Sequence, residues 1–313
     1  MELLRGFEDI ALDIDGSVVS IGNFDGVHRG HQAVIGSAVS AARAASLASV
    51  VCTFDPHTRV LLHPESPPRL LETLEQRIEA IADLGVEIAV VIPFVREVAR
   101  VPKEEFVRRF LLGALRARQL HVSKDFTFGA GGAGNVDYLR EIAPQLGFEL
   151  QVVPAVMAHG APISSSRIRD AIAAGDVEEA AALLGRPFAL TGAVVRGAGR
   201  GHQLDAPTAN LDFGHRFVPA PGVYVTEARI DGTPHEAVTN VGVRPTFGGH
   251  DGLTVETHLL DGGGSLYGKR VAVAFLERLR DERRFDGPAE LAAQIRRDVE
   301  AATRYFAELR GRT

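Results

Sequence analysis

The sequence predicts two folds in series: a doubly wound parallel α/β sheet, then an all-β barrel closed by a terminal helix. Three observations carry this. Up to about residue 185, short apolar runs alternate with amphipathic helical stripes, the pattern of successive βα units. From Phe188 onward, strand patterns are punctuated by Asp231-Gly232, Asp251-Gly252 and Asp261-Gly262-Gly263-Gly264, which signal hairpins. From Pro288 to about Leu309, Leu291, Ile295, Val299 and Ala302 mark one face of a helix. The style changes at Leu184-Gly185-Arg186-Pro187, which sets a domain boundary between residues 1–185 and 186–313.

In chain order, Ser17-Val18-Val19-Ser20-Ile21 reads as a buried strand, and Val34, Ile35, Ala38, Ala41, Ala42 and Ala45 as the face of the helix that follows. Between them runs Gly22-Asn23-Phe24-Asp25-Gly26-Val27-His28-Arg29-Gly30-His31. A glycine-bearing loop at a helix entrance offers free N–H groups and the positive end of the dipole, and two histidines three apart can face one anion. That is the layout of a phosphate site. Strands Ser49–Phe54, Ile88–Pro93, Leu120–Val122 and Glu149–Val153 follow, separated by the stripes Leu74/Ile78/Ile81 and Phe106/Phe110/Leu111. In such a sheet, ligands gather beyond the carboxyl ends of the strands, where the histidine loop, the Asp55-Pro56-His57 turn and the Asp125 loop would emerge. In Ile163-Ser164-Ser165-Ser166-Arg167-Ile168-Arg169 the serines read as caps of a helix starting near Arg167. The barrel strands are Ala189–Val195, Val223–Ile230, Glu236–Asn240, Leu253–Leu260 and Arg270–Leu279.

Composition sets the outer bounds. The 313 residues, 45% hydrophobic and 24% charged, suffice for two cores. A net charge of −6 carries no electrostatic footprint for a nucleic-acid backbone. Cys52 is the only cysteine, so neither an intrachain disulfide nor a cysteine-rich metal site can form, and its apolar run marks it as core. No segment has the length and apolarity of a membrane span or a secretion signal, so a soluble cytoplasmic protein is expected.

The string from Gly22 to His31 resembles the nucleotide-binding signature of the bacterial bifunctional riboflavin kinase/FMN adenylyltransferase (FAD synthetase) family, a branch of the HxGH nucleotidylyltransferases. The resemblance runs from about Val18 to about Phe306. Pro207-Thr208-Ala209-Asn210 is similar to the family's kinase signature, and the stretches Pro221–Tyr224, Thr239–Thr246 and Val255–Leu260 also match. The resemblance implies an N-terminal nucleotidylyltransferase domain and a six-stranded riboflavin kinase barrel. The barrel would phosphorylate riboflavin to FMN, and the first domain would adenylylate FMN to FAD, each with ATP and Mg²⁺.

The same resemblance implies roles residue by residue. His28 and His31 are catalytic, with Gly22, Asn23, Phe24, Asp25, Gly26 and Gly30 around the nucleotide and Ser165, Ser166 and Arg169 on the ATP phosphates. Asp55, Asp125 and Phe128 line the flavin side of that site. In the barrel, Thr208 and Asn210 hold Mg²⁺–ATP, Glu256 is the base for the ribityl 5′-hydroxyl, and Arg280 lies near the isoalloxazine. Without matched neighbours, the serines are ordinary caps, Phe128 is core and Glu256 is a solvated acid on an alternating strand. Three departures from the family pattern bear on the rim charge and on kinase efficiency: Lys124, Asp205-Ala206 and Gly262-Gly263-Gly264-Ser265. Two alternatives stay open, a monofunctional FMN adenylyltransferase with weak kinase activity and a non-catalytic flavin-sensing regulator. The expected partners are small-molecule substrates, with no nucleic acid, no membrane and at most weak self-association.

Overall fold

The apolar runs of the first half pair in parallel, because strands buried on both faces need helices above and below them. The computed structural model describes residues 1–7, 9–195, 208–214, 216–243, 252–262 and 266–311. It divides into two units, Met1–Pro68 with Thr73–Ser164, and Arg69–Glu72 with Ser165–Thr313.

The first unit holds six parallel strands: β1 (Glu2–Arg5), β2 (Ser17–Ile21), β3 (Ala48–Asp55), β4 (Ile88–Pro93), β5 (Ala117–Ser123) and β6 (Glu149–Val153). Their order is β1-β4-β3-β2-β5-β6. From β2 the chain winds to β3 and β4 on one side, then returns to β5 and β6 on the other, so the winding reverses between β2 and β5. The loops leaving those two strands flank the switch point where such sheets take ligands. The helices α1 (Arg29–Ala45), α2 (Leu74–Asp83) and α3 (Val136–Leu146) supply covering faces. The Phe106/Phe110/Leu111 stripe forms a π-helix, Phe106–Ala114, where the spacing alone predicts an ordinary helix. Edge strand β1 is not predicted either: Leu3 and Leu4 are flanked by Glu2 and Arg5, and only pairing with Ile88–Val91 makes them a strand. Cys52 is buried in the core, which pushes its thiol pKa up.

In the second unit, α4 (Ser165–Ala174) and α5 (Val177–Leu184) precede the barrel. Helix α4 starts two residues before the predicted Arg167, so Ser165 and Ser166 lie inside its first turn rather than ahead of it. The barrel strands are β7 (Phe188–Val195), β8 (Thr208–Asp212), β9 (Gly222–Ile230), β10 (Thr233–Val243), β11 (Leu253–Leu259) and β12 (Arg270–Asp281), closed in the order β7-β8-β11-β10-β9-β12. Strand β8, which carries the Thr-Ala-Asn motif, is not among the strands the sequence predicts; pairing with β7 and β11 makes it one. Asp231 (φ 51°) and Gly232 (φ 83°) form the two-residue turn between β9 and β10 that the sequence signals. Strand β9 is buried on both faces: Tyr224 and Thr226 alternate with Val223 and Val225, which join Ala302 and Phe306 of the terminal helix α6 (Pro288–Gly311) in one cluster. Helix α6 therefore buries Asp298, Ala302 and Phe306, while the predicted Leu291, Ile295 and Val299 are only partly covered. Asp205-Ala206, Pro207 of the kinase motif, Arg244–Thr246, Asp251 and Gly263–Ser265 lie outside the described residues.

Candidate functional site

The loop leaving β2 turns tightly, with positive φ at Phe24 (50°), Gly26 (87°) and Val27 (35°). Its neighbours hold it. Asn23 donates from Nδ2 to Thr58 Oγ1 (2.9 Å) and accepts the Thr58 N–H (3.1 Å), while Thr53 Oγ1 donates to the Asn23 carbonyl (3.0 Å). His28 caps α1: its Nδ1 accepts the His31 N–H at 3.3 Å, so that nitrogen is unprotonated and Nε2 carries the ring N–H. The His28 and His31 rings stack with centroids 3.6 Å apart, and Phe24 meets His31 edge-on at 5.3 Å. A Cβ on Gly30 would lie 3.0 Å from the His28 ring, so a side chain there would crowd the stack. Burial, then His28 and Arg77, hold the His31 pKa well below the ordinary 6.5. His31 Nδ1 is buried without a hydrogen-bond partner among the described residues, a demand that a phosphate oxygen or its proton could meet. Asp25 is buried within the same loop.

The remaining candidates of this unit differ in character. Asp55 ends β3 ahead of a cis bond to Pro56, half exposed and 3.8 Å from Arg5. Asp125 is exposed in the turn after β5. Phe128 is buried, stacked on Phe126 (5.5 Å) and tilted against Phe106 (5.4 Å), and its ring occupies the space a Cβ on Gly134 would need. Phe126 is the partly exposed member of that stack.

Ser165, Ser166 and Arg169 belong to the second unit. Arg169 donates from Nε to the Arg69 carbonyl (2.8 Å), and Arg167 pairs with Glu179 of α5 (2.6 Å). The second motif is thus built on a short helical hairpin that packs with the barrel strands.

In the barrel, strand alternation sends Ala209 and Leu211 inward and leaves Thr208 and Asn210 on the outer face. Glu256 of β11 lies directly opposite Asn210 on one side and Asn240 of β10 on the other. Directly opposed residues have Cβ atoms roughly 5 Å apart, so a carboxylate stands between two amides. Beneath them, Thr226, Thr239 and Thr257 are buried and joined hydroxyl to hydroxyl at 2.8 and 2.9 Å, tying β9, β10 and β11 together. The sequence motifs contain Asn240 but do not single it out; only the register does. Glu282 accepts the Val243 N–H (3.2 Å) over Gly242, where a Cβ would lie 2.7 Å from its Oε1 and 3.0 Å from Asn240 Nδ2. Arg280 grips the buried Asp298 of α6 through three contacts of 2.7 to 3.2 Å. Among the described residues no cluster of histidines, cysteines or carboxylates could hold a metal by itself. Thr208 and Asn210 offer neutral oxygen donors, which fit Mg²⁺ carried mainly by nucleotide phosphates.

Two family models match the chain: FAD synthetase over residues 11–167 and riboflavin kinase over residues 184–306. A bifunctional riboflavin kinase/FMN adenylyltransferase of Pseudomonas fluorescens is 38% identical over 302 residues, covering 96% of this chain and 97% of that one. Proteins of the same name from Escherichia coli (35%, 98% of each chain) and Bacillus subtilis (36%, 94% of each) are also similar. A solved structure described as a macrolide-efflux protein from Streptococcus pneumoniae matches with a TM-score of 0.86 at 31% identity, covering 97% of this chain and 99% of that one. The efflux name is that protein's own, and no described helix of this chain is long and apolar enough to cross a membrane. With both models matched in succession and relatives aligned nearly end to end, the chain belongs to the bifunctional riboflavin kinase/FMN adenylyltransferase family.

Proposed function

We propose that this chain converts riboflavin to FMN on the barrel and FMN to FAD at the histidine loop, consuming one ATP in each step. The observation that carries the first half is the register that sets Glu256 between Asn210 and Asn240. The ribityl 5′-hydroxyl attacks the γ-phosphorus, its proton passes to Glu256, and the bond to the ADP oxygen breaks. Thr208 and Asn210 hold the metal–nucleotide. The Mg²⁺ supplies charge neutralisation on the phosphates.

For the second half, a phosphate oxygen of FMN attacks the α-phosphorus of ATP and pyrophosphate leaves, with no covalent enzyme intermediate. His28 offers an Nε2–H, and the first N–H groups of α1 add fixed positive charge for the transferring phosphate. Gly22, Asn23, Phe24, Asp25, Gly26 and Gly30 shape this cradle. Ser165, Ser166 and Arg169 serve the ATP phosphates on the strength of the family motif, as Asp55 and Asp125 serve the flavin side. Phe128 acts from beneath, through Phe126. The catalytic boundary stays at 185/186, supported by family matches that end at 167 and resume at 184. ATP and flavin as substrates, and a lone buried cysteine, support action in a reducing cytoplasm.

Purified protein incubated with riboflavin, ATP and Mg²⁺ should yield FMN and then FAD on chromatography. FAD from supplied FMN without FMN from riboflavin would favour the monofunctional reading. Flavin binding without either product would favour the regulator.

A further inference from the structure

Arg77 is a cation on an amphipathic helix that does not face solvent. It is only 2% exposed, and its Nη1 donates to Thr53 Oγ1 (3.2 Å) and to the Phe54 carbonyl (3.0 Å) at the carboxyl end of β3. Thr53 passes the contact on, donating to the Asn23 carbonyl (3.0 Å), and Asn23 in turn clasps Thr58. One guanidinium therefore braces both the signature loop and the turn after Pro56. Arg77 also lies near enough to His31 to act on it electrostatically, and would act likewise on an anion placed there.

We propose that Arg77 is a positioning residue for adenylyl transfer: through Thr53 it fixes the Gly22–His31 loop, and its guanidinium keeps a permanent, water-excluded positive charge behind the phosphate cradle. Negative charge that gathers on the transferring group gains from such a charge more than the ground state does. The inference rests on the reading of His28 and His31 as the adenylylation site.

Full-length protein tests it, because the kinase step serves as an internal control. Arg77→Met should lower kcat for FAD formation from FMN roughly 10- to 100-fold, with KM for FMN within about threefold and FMN formation from riboflavin unchanged. Arg77→Lys, which keeps the charge, should recover most of that loss. Thr53→Val, which keeps the charge but cuts the relay, should lower kcat roughly 3- to 10-fold. A folded Arg77→Met protein with wild-type kcat, or with only a raised KM, overturns the proposal. Equal loss in the Lys and Met variants also overturns it, since charge would then be irrelevant. If Arg77→Met does not fold, Thr53→Val decides, and wild-type kcat there overturns it. Loss in His31→Ala with none in Arg77→Met defeats this inference alone; wild-type FAD formation by His31→Ala defeats the site reading and the inference with it.

Discussion

His31 is the residue whose chemistry depends most on its surroundings. Because burial, then His28 and Arg77, hold its pKa below 6.5, the folded chain refuses a proton that the unfolded chain accepts as pH falls past that value. Its contribution is fully present above pH 6.5 and is lost as pH falls towards the folded pKa. His121, lowered by burial against the opposing pull of Glu149, acts with the same sign. Denaturant melts near pH 7.5 and near pH 5.5 should therefore show a less stable first unit at the lower pH, by at most roughly 1.4 kcal/mol per pH unit for each histidine. A His31→Gln variant should narrow that difference, and equal stability of the wild type at both pH values would contradict the assignment. For catalysis, His28→Ala or His31→Ala should cut FAD formation roughly 10²–10³-fold and spare FMN formation, since each removes a preorganised contact at one site only. Glu256→Gln keeps the side-chain size but not its basicity, so riboflavin phosphorylation should fall while supplied FMN is still adenylylated. Kinase turnover unchanged at saturating substrate would show that the hydroxyl is activated by other means. The placing of the two histidines at a helix entrance was legible because a strand, a glycine-bearing loop and a helix start lie within about a dozen residues of each other.

At the scale of elements, helix α6 and strand β12 decide how Arg280 is to be understood. The sequence places it in a charged run and the family resemblance near the flavin, but the structure commits its guanidinium to Asp298, which is otherwise sealed under α6. Arg280→Met should destabilise the second unit by about 3 kcal/mol, the low end for a broken buried pair because Gln294 still donates to Asp298. An unchanged melting point with a raised riboflavin KM would instead show that its main role is contact with the flavin. Of the predicted face Leu291/Ile295/Val299/Ala302, Ala302 is buried and the other three are partly covered, while the paired Asp298 takes a buried place on the same helix that hydropathy alone does not assign to a charge. Gly242 is a second element-level constraint. In Gly242→Ala, the added Cβ would crowd Glu282 and Asn240 together, so the kinase step should weaken while adenylylation is kept. A wild-type kinase rate in that variant would show that the Glu282 contact has no bearing on Glu256.

For the whole molecule, the family matches and the packing units divide the chain differently. Most of α4 and α5 lies between the two matches, which end at 167 and resume at 184, yet both helices group with the barrel. The Ala220 N–H donates to the Ile172 carbonyl (3.1 Å), Arg278 donates to Ala174 (3.1 Å), and α5 buries Val177, Ala180, Leu183 and Leu184. A fragment from Arg186 to Thr313 should still phosphorylate riboflavin and should not adenylylate FMN. A fragment from Ser165 should be more stable by at least about 3 kcal/mol, since each large apolar side chain kept buried contributes about 1.5–3 kcal/mol. Equal melting of the two would show that the helices are dispensable to that unit.

What the sequence determined by itself was local. The strand–loop–helix around His28 and His31, the Asp231-Gly232 turn, the two fold types and the span of the last helix depend on backbone preferences and on side chains close along the chain. Only the tertiary structure decided which distant residues meet. The Asn210–Glu256–Asn240 row exists because three strands pair in one register, and a slip of a single residue would turn Glu256 into the barrel interior. The buried places of Arg77 and Asp298 were likewise hidden, because a charge is tolerated in a core only when a partner from another element meets it there, and hydropathy along one segment carries no record of that partner.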